Sequence, residues 1–180
     1  MTTHLLTTKE LRELGRPIGK VAEEKLLAFI NEAEQLHVKP IIGDSLFLNL
    51  IKEVEKTNDE EKDQALQLLL NGGTYMQNEG CQNEEVRSFS GLKVVISYFV
   101  YAQNLMVGDI ESTRFGSVIK NGDYSNHVSS KERSDAYNNT LEAANAFMKE
   151  CVIYCRDKGL IKTVGKPTAT FGGITIKRIG

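Results

Sequence analysis

The stretch from Ser129 to Lys158, SSKERSDAYNNTLEAANAFMKECVIYCRDK, predicts the longest helix of the chain. Ser129 followed three residues later by Glu132 has the spacing of a capping box, which starts a helix. Apolar residues then recur at steps of three and four, which indicates one buried stripe. The stripe consists of Tyr137, Leu141, Ala144, Phe147 or Met148, Cys151 and Cys155. Lys158 and Gly159 are typical of a helix end, so the helix is about 40 Å long.

A second helix is predicted upstream, from Ser90 to about Val107, and Gly108-Asp109 ends it. Its sequence, SGLKVVISYFVYAQNLMV, is apolar on almost every side. A helix with that profile is buried on most of its surface. We therefore expect it to be the central helix of the domain.

Four shorter helices are predicted before residue 74. Thr7-Thr8-Lys9-Glu10 has capping-box spacing, and the helix that it starts should stop near Gly15. The next helix should run from about Lys20 to Leu36 and end at Lys39-Pro40, because proline interrupts a helix. Asp44 or Ser45 is expected to cap the third. The inward side of that helix carries Leu46, Phe47, Leu50, Ile51 and Val54.

The fourth helix is predicted to begin at Asn58 with Glu61 and to end at Asn71-Gly72-Gly73. The run of charges from Glu53 to Lys62 is expected to be a solvated turn. Residues 74–90 read as irregular structure, with room for a short hairpin across Glu79-Gly80. A small β-excursion is predicted over residues 112–128, because Asn121-Gly122 is a strong hairpin signal.

The last eighteen residues, Thr163 to Gly180, differ in composition from the chain before them and form a predicted C-terminal arm. The arm is rich in glycine and threonine and ends in a β-prone run, ITIKRI, with no obvious partner strand. An unpaired strand can add to the sheet of a neighbouring chain. The apolar residues expected to make that contact are Phe171, Ile174, Ile176 and Ile179. A frayed end, or a strand folded back on its own domain, is the alternative.

Composition narrows the function further. The net charge is −2, which argues against a protein that lives by tight phosphate contacts. Three cysteines without framework spacing favour a reducing compartment. The most apolar stretch, Val94 to Ala102, is too short to span a bilayer, and no secretory signal is visible, so we expect a soluble protein.

No catalytic, cofactor-binding or metal-binding residues are predicted. Cys151 and Cys155 share a helix face at a spacing that can hold a metal, but a structural zinc site needs two further ligands. Buried free thiols explain the pair better. Gly72-Gly73 and Gly172-Gly173 lack the Lys-Ser or Lys-Thr pair of a phosphate loop. The sequence therefore predicts mainly α structure: a helical bundle of five to six helices over residues 1–162 with a small β-excursion, followed by the arm over residues 163–180.

The stretch from Leu5 to Ile51 resembles the start of tailed-phage head–tail connector (adaptor) proteins. It reads LLTTKELRELGRPI, then EEKLLAFINEAEQLHVKPIIGDSLFLNLI after a short linker. The bend at Pro40–Gly43 resembles the branch found in phages and prophages of gut Bacteroidetes. The residues that fit the family's opening motifs are Thr8, Leu11, Leu14, Glu24, Phe29, Ile30, Ala33 and Glu34. The Gly19–Ala22 linker is less acidic than is common there, and residues 74–90 have no counterpart that the resemblance assigns.

The resemblance implies a ring of subunits between the portal and the tail, at the virion neck, after synthesis in the bacterial cytoplasm. The partners would be the portal protein, tail or neck proteins and neighbouring copies of the chain. Genome DNA would pass without tight binding, and no membrane would be involved. Two other functions stay open: a soluble helical regulator or protein-binding module with a strand-adding tail, and an enzyme with a diffuse helical active site.

Overall fold

The computed structural model describes residues 3–14, 18, 21–58, 61–107, 110–113, 116–119, 129–161, 169–171 and 174–176. Its helices are α1 (Thr8–Leu14), α2 (Glu23–Glu32), a π-helical segment (Ala33–Val38), α3 (Lys39–Ile42), α4 (Asp44–Glu55), α5 (Gln64–Asn71), α6 (Leu92–Val107) and α7 (Ser130–Asp157). Its strands are β1 (Gly73–Gln77), β2 (Glu85–Phe89), β3 (Ile110–Thr113), β4 (Gly116–Ile119), β5 (Ala169–Phe171) and β6 (Ile174–Ile176). The fold is mainly α, as the sequence predicts.

Helix α6 is the centre of the body, which confirms the prediction from its apolar profile. It packs along α7 and also contacts α1, α2, the π-helical segment and α5. Phe99 on α6 is 1% exposed, and its ring stacks on His37 with the centroids 4.2 Å apart. The other fully buried apolar side chains of α6 are Leu92, Val95, Ile96, Val100 and Ala102.

Helix α7 begins at the predicted capping box. The Glu132 N–H donates to Ser129 Oγ at 3.2 Å, and the Ser129 N–H donates to the Glu132 carboxylate at 2.9 Å. Within the predicted stripe, four residues are buried and the others are half-buried. Tyr154, which the stripe left out, is also buried, and its hydroxyl donates to the Ala65 carbonyl at 3.0 Å. The helix therefore faces α5 as well as α6.

The second predicted helix is longer than expected, because Lys39-Pro40 does not end it. Glu23 to Ile42 is continuously helical, with the π-helical segment in the middle. There the Lys39 N–H donates to the Glu34 carbonyl, five residues earlier. The wider π turn directly precedes Pro40, which stands in the first turn of α3 and so has little need of an N–H. The helix ends instead at Gly43, whose φ of +84° suits glycine.

Two predicted caps are wrong. Gly43 precedes α4, and no side chain caps that helix. The cap of α5 is Asp63, not Asn58, because Asp63 Oδ1 accepts the N–H groups of Ala65 and Leu66. Asp63 follows the charge run directly and has the β-region backbone of an N-cap.

Two glycines let the end of α5 touch the start of α6. Gly72 and Gly91 have φ values of +78° and +81°, and Gly72 ends α5 as predicted. A Cβ on Gly91 would lie 2.3 Å from the Gly72 backbone nitrogen. Between them, β1 and β2 form the antiparallel hairpin that the sequence allowed, with Tyr75 opposite Arg87.

The β-excursion near residue 112 exists but lies earlier than predicted. β3 and β4 pair antiparallel, with Thr113 opposite Gly116. The chain therefore reverses between Thr113 and Gly116, and the hairpin does not use Asn121-Gly122. That dipeptide lies outside the described residues.

Candidate functional site

The C-terminal arm contains a hairpin, which corrects the expectation of an unpaired strand. β5 and β6 pair antiparallel, with Phe171 opposite Ile174 and Ala169 opposite Ile176. Of the four residues predicted to bind a partner, three lie in this hairpin, and Ile179 lies outside the described residues. β6, which has no obvious partner in the sequence, thus pairs with β5, which begins five residues before it.

The register of the arm hairpin groups its apolar residues. Directly opposed residues, and residues two apart on one strand, share a face of a two-stranded ribbon. In the arm hairpin, the Thr170–Thr175 pair lies between the Ala169–Ile176 and Phe171–Ile174 pairs. A two-stranded hairpin alone is at best marginally stable in water. The arm hairpin would therefore gain stability by binding a further strand or an apolar surface.

An apolar groove lies between the α3–α4 bend and the C-terminal half of α7, and we call it the elbow groove. One part of it measures about 630 Å³ and an adjoining part about 420 Å³. Both parts share Ile41, Val152 and Arg156. The Ile41 side chain at the mouth of the groove is 45% exposed. Lys149 and Arg156 supply positive charge, and the remaining lining includes Met148, Ile153, Leu160 and Ile161.

The β1–β2 ribbon lies beside the end of α7. Tyr75 and Phe89 are buried and pack edge-on and stacked, respectively, against Tyr154. The Lys158 ammonium donates to the Met76 carbonyl at 2.9 Å. One face of the ribbon is thus fixed to the body, and its other face carries Val86, which is 67% exposed.

Glu34, in the π-helical segment, holds the N-terminal residues to the body. It is 1% exposed, its Oε1 accepts the Leu5 N–H at 2.6 Å, and its Oε2 lies 2.9 Å from His4 Nδ1. Burial raises the pKa of Glu34, and the contacts with His4, Leu5 and Leu6 only partly offset that effect. We call these contacts the Glu34 clasp. Because Leu5 and Leu6 are fully buried, the Glu34 clasp is a structural feature.

Glu53 is a second buried carboxylate, and the charge-run interpretation missed it. Its side chain is 1% exposed, and it accepts hydrogen bonds from Lys56 at 2.7 Å, from the Asp63 N–H at 2.7 Å and from Gln67 at 3.1 Å. Burial acts to raise the pKa of Glu53, but these donors outweigh it and hold the pKa below its ordinary value. Glu53 therefore ties the residues before α5 to α4 instead of facing solvent. The sequence did contain a signal for its burial, because Glu53 lies three residues after Leu50 and so on the inward side of α4.

Cys151 and Cys155, the two cysteines of α7, are not activated thiols. Burial raises the pKa of Cys151 and of Cys155 to about 12, so both thiols stay protonated at neutral pH. Cys81 is exposed in the loop between β1 and β2. Within the part of the chain that the structure describes, no three His, Cys, Asp or Glu side chains group in a way that could hold a metal ion.

None of the described helices combines the length and the apolar character that a membrane span requires.

Comparison with known proteins places the body of this chain in a family. Residues 38–160 match the model of a family of unknown function, DUF6712. The match covers about two thirds of the chain and leaves out α1, α2 and the arm. No curated protein and no solved structure matches. The chain belongs to the family of unknown function DUF6712.

Proposed function

We propose that this protein is a structural virion-assembly component, a head–tail connector that forms or joins a ring between the portal and the tail of a phage or prophage. The observation that carries the proposal is the contrast within one chain. A helical body packed around a central buried helix is followed by an arm whose two short strands pair with each other. Such an arm can join subunits by backbone pairing and by burial together.

The buried polar groups of the body support a structural role. Glu34 and Glu53 are both held by donors from the chain itself. Among the residues described, neither carboxylate opens into the elbow groove, since the lining of that groove contains neither of them. These carboxylates therefore fix chain segments, and the elbow groove keeps a mostly apolar lining that includes the cations Lys149 and Arg156. The resemblance of residues 5–51 to phage connectors points to the same class of function.

A connector must let DNA slide past it. The chain carries 22 basic and 24 acidic residues, so its overall charge does not attract phosphate. We expect binding to duplex DNA at physiological salt to be no tighter than about micromolar. A filter-binding or anisotropy titration against salt measures it, and tighter binding would favour a regulator of transcription or packaging over a connector.

The direct test is incorporation into portal-bound particles. The full chain is mixed with particles of the portal protein encoded beside its gene, and co-sedimentation and negative-stain images are recorded. The proposal expects stoichiometric binding and a ring of density below the portal. Absence of co-sedimentation, together with a gene neighbourhood free of portal and capsid genes, would reject it.

The elbow groove favours a second candidate, a soluble protein-binding module. Ile41 lies at the groove, is half exposed and carries little of the core, so Ile41→Glu changes the groove without unfolding the body. If the chain is such a module, Ile41→Glu abolishes partner capture while Leu48→Glu, at another exposed leucine, does not. A connector that works through its arm keeps portal incorporation in both variants.

A further inference from the structure

The two edges of the β1–β2 ribbon differ in how much of their backbone is covered. On the β1 edge, the Met76 carbonyl accepts a hydrogen bond from Lys158 at 2.9 Å. The Asn78 N–H, just past β1, donates to Asp157 at 2.8 Å. The end of α7 therefore occupies this edge.

The β2 edge is exposed at Val86 and Ser88, whereas the Phe89 end of β2 contacts α7 through the Tyr154 ring. Met76 lies opposite Val86, and the Met76 carbonyl points away from the ladder, toward Lys158. In an antiparallel pair both opposed residues then direct their backbone groups outward. The N–H and C=O of Val86 consequently face away from β1, and those of Ser88, two residues later, do the same. Val86 and Ser88 are both exposed, so β2 offers a strand edge to which another strand can add.

The free end of the β1–β2 ribbon is acidic. Glu79, Glu84 and Glu85 lie at the free end of the ribbon, and all three are exposed. Lys158 and Arg87 lie 3.6 Å from Glu79 and Glu85, respectively, and offset part of that charge. The arm has the opposite charge: residues 163–180 contain Lys166, Lys177 and Arg178 and no Asp or Glu. Two of these cations directly follow β6.

We propose that the exposed edge of β2 binds the arm hairpin of a second copy of this chain, with the arm cations beside the acidic end of the ribbon. This inference rests on the proposed function, in which copies stand side by side. The joined sheet would have four strands, which exceeds the three that usually give a sheet independent stability. Each copy would present one arm and one edge, a head-to-tail arrangement that can close into a ring.

The arm and the free end of the ribbon carry opposite charge, and copies stand side by side in the proposed function. We therefore assign the arm of a second copy, and not the chain's own arm, to the β2 edge.

Single-cysteine chains test the contact directly. In a Cys81→Ser background, one batch carries Val86→Cys and one affinity tag, and a second carries Thr175→Cys and another tag. Cys151 and Cys155 stay unreactive because they are buried with a pKa of about 12. The batches are mixed at high concentration, with and without portal particles, and oxidised. A disulfide forms only where backbones approach within about 7 Å.

The proposal expects a doubly tagged dimer at about ten times the yield of a Leu48→Cys control, whose side chain is exposed on α4. Equal yields with the control, or no dimer under either condition, would overturn it. A chain carrying both Val86→Cys and Thr175→Cys that closes on itself, while the mixed batches do not couple, would show that the arm binds its own body, and this also overturns it.

A charge exchange gives an independent check. Glu84→Lys with Glu85→Lys should weaken coupling about tenfold, because two attractive pairs become repulsive. Lys177→Glu with Arg178→Glu in the arm donor should restore it. Failure of that rescue, with both variants folded by circular dichroism, would contradict the proposed edge. Coupling through β2 without portal binding would reject the connector function and leave this contact standing.

Discussion

The helical body and the C-terminal arm are stabilised in different ways. The body encloses one core to which the helices α1 to α7 contribute buried side chains, and its two buried carboxylates are satisfied from within. The arm has two strands of three residues, which pair with each other. We therefore expect the body to fold without the arm, and we expect the arm to gain most of its stability when it binds a partner.

Removal of a buried aromatic side chain from the central helix α6 should reduce stability the most. Phe99→Ala removes a ring that is 1% exposed and stacked on His37, so we expect a loss of about 3–5 kcal/mol in the free energy of unfolding. Urea denaturation measures it. Leu48→Ala, at a leucine that is 56% exposed, is the matched control and should cost well under half as much. Equal losses would mean that α6 is not the centre of the body.

Removal of the Glu53 carboxylate should rank second. Glu53→Ala leaves the Asp63 N–H and the Gln67 amide without their acceptor, which costs about 2–3 kcal/mol. Glu142→Ala, at an exposed site on α7, should change stability by less than about 0.5 kcal/mol. If the two variants match, the segment before α5 is held by something other than Glu53.

The dependence of stability on pH should also report the contacts of the Glu53 carboxylate. Since the pKa of Glu53 is held below its ordinary value of 4.5, its contribution is present above that value and is lost as pH falls through the lowered pKa. The acid side of the stability curve should therefore be shallower in Glu53→Ala than in the native protein.

The helix cap of α7 should matter less. Ser129→Ala removes the acceptor of the Glu132 N–H, for an expected loss of about 1 kcal/mol. Ser134→Ala, in the exposed interior of the same helix, has no cap to lose and should be neutral or slightly stabilising. Thermal melts of the pair check this, and a larger loss at Ser134 would contradict the assigned start of α7.

The Glu34 clasp should respond to pH in the opposite sense to Glu53. Because burial raises the pKa of Glu34, the folded state binds its proton more tightly, and the contribution of Glu34 to stability decreases as pH rises through the raised pKa. Glu34→Gln keeps an oxygen for the Leu5 N–H and removes the charge. We expect a change below about 1 kcal/mol at neutral pH and a flatter stability curve above pH 4.5. If the free energy of unfolding of the native protein instead rises with pH relative to that of Glu34→Gln, the carboxylate is stabilised as an anion.

Local patterns predicted much of the body. Both capping boxes, at Thr7 and Ser129, and the glycine stop at Gly72 depend on a few adjacent residues, and the structure contains all three. The predicted end of the second helix at Lys39-Pro40 was wrong, because the turn that precedes Pro40 decides whether the proline ends the helix. The π turn at Glu34 that accommodates it is stabilised by contacts with residues 30 positions away.

The candidate surfaces were harder to predict. Phe171, Ile174 and Ile176 were identified from composition, but their pairing within the arm requires a register that the sequence does not state. The elbow groove joins residues near 41 with residues near 152, and only the packing of α3 and α4 on α7 brings them together. The β2 edge likewise depends on which edge α7 covers.

Deletion of Lys166 to Gly180 tests the central claim most directly. A melting curve and a co-sedimentation assay with portal particles are recorded for the truncated and the full chain. We predict an unchanged melting temperature and helix content, because the buried core residues that the structure describes lie between Leu5 and Cys155, together with complete loss of incorporation. If the truncated chain unfolds or aggregates while the full chain is a stable monomer, the arm is part of the core and the claim is wrong.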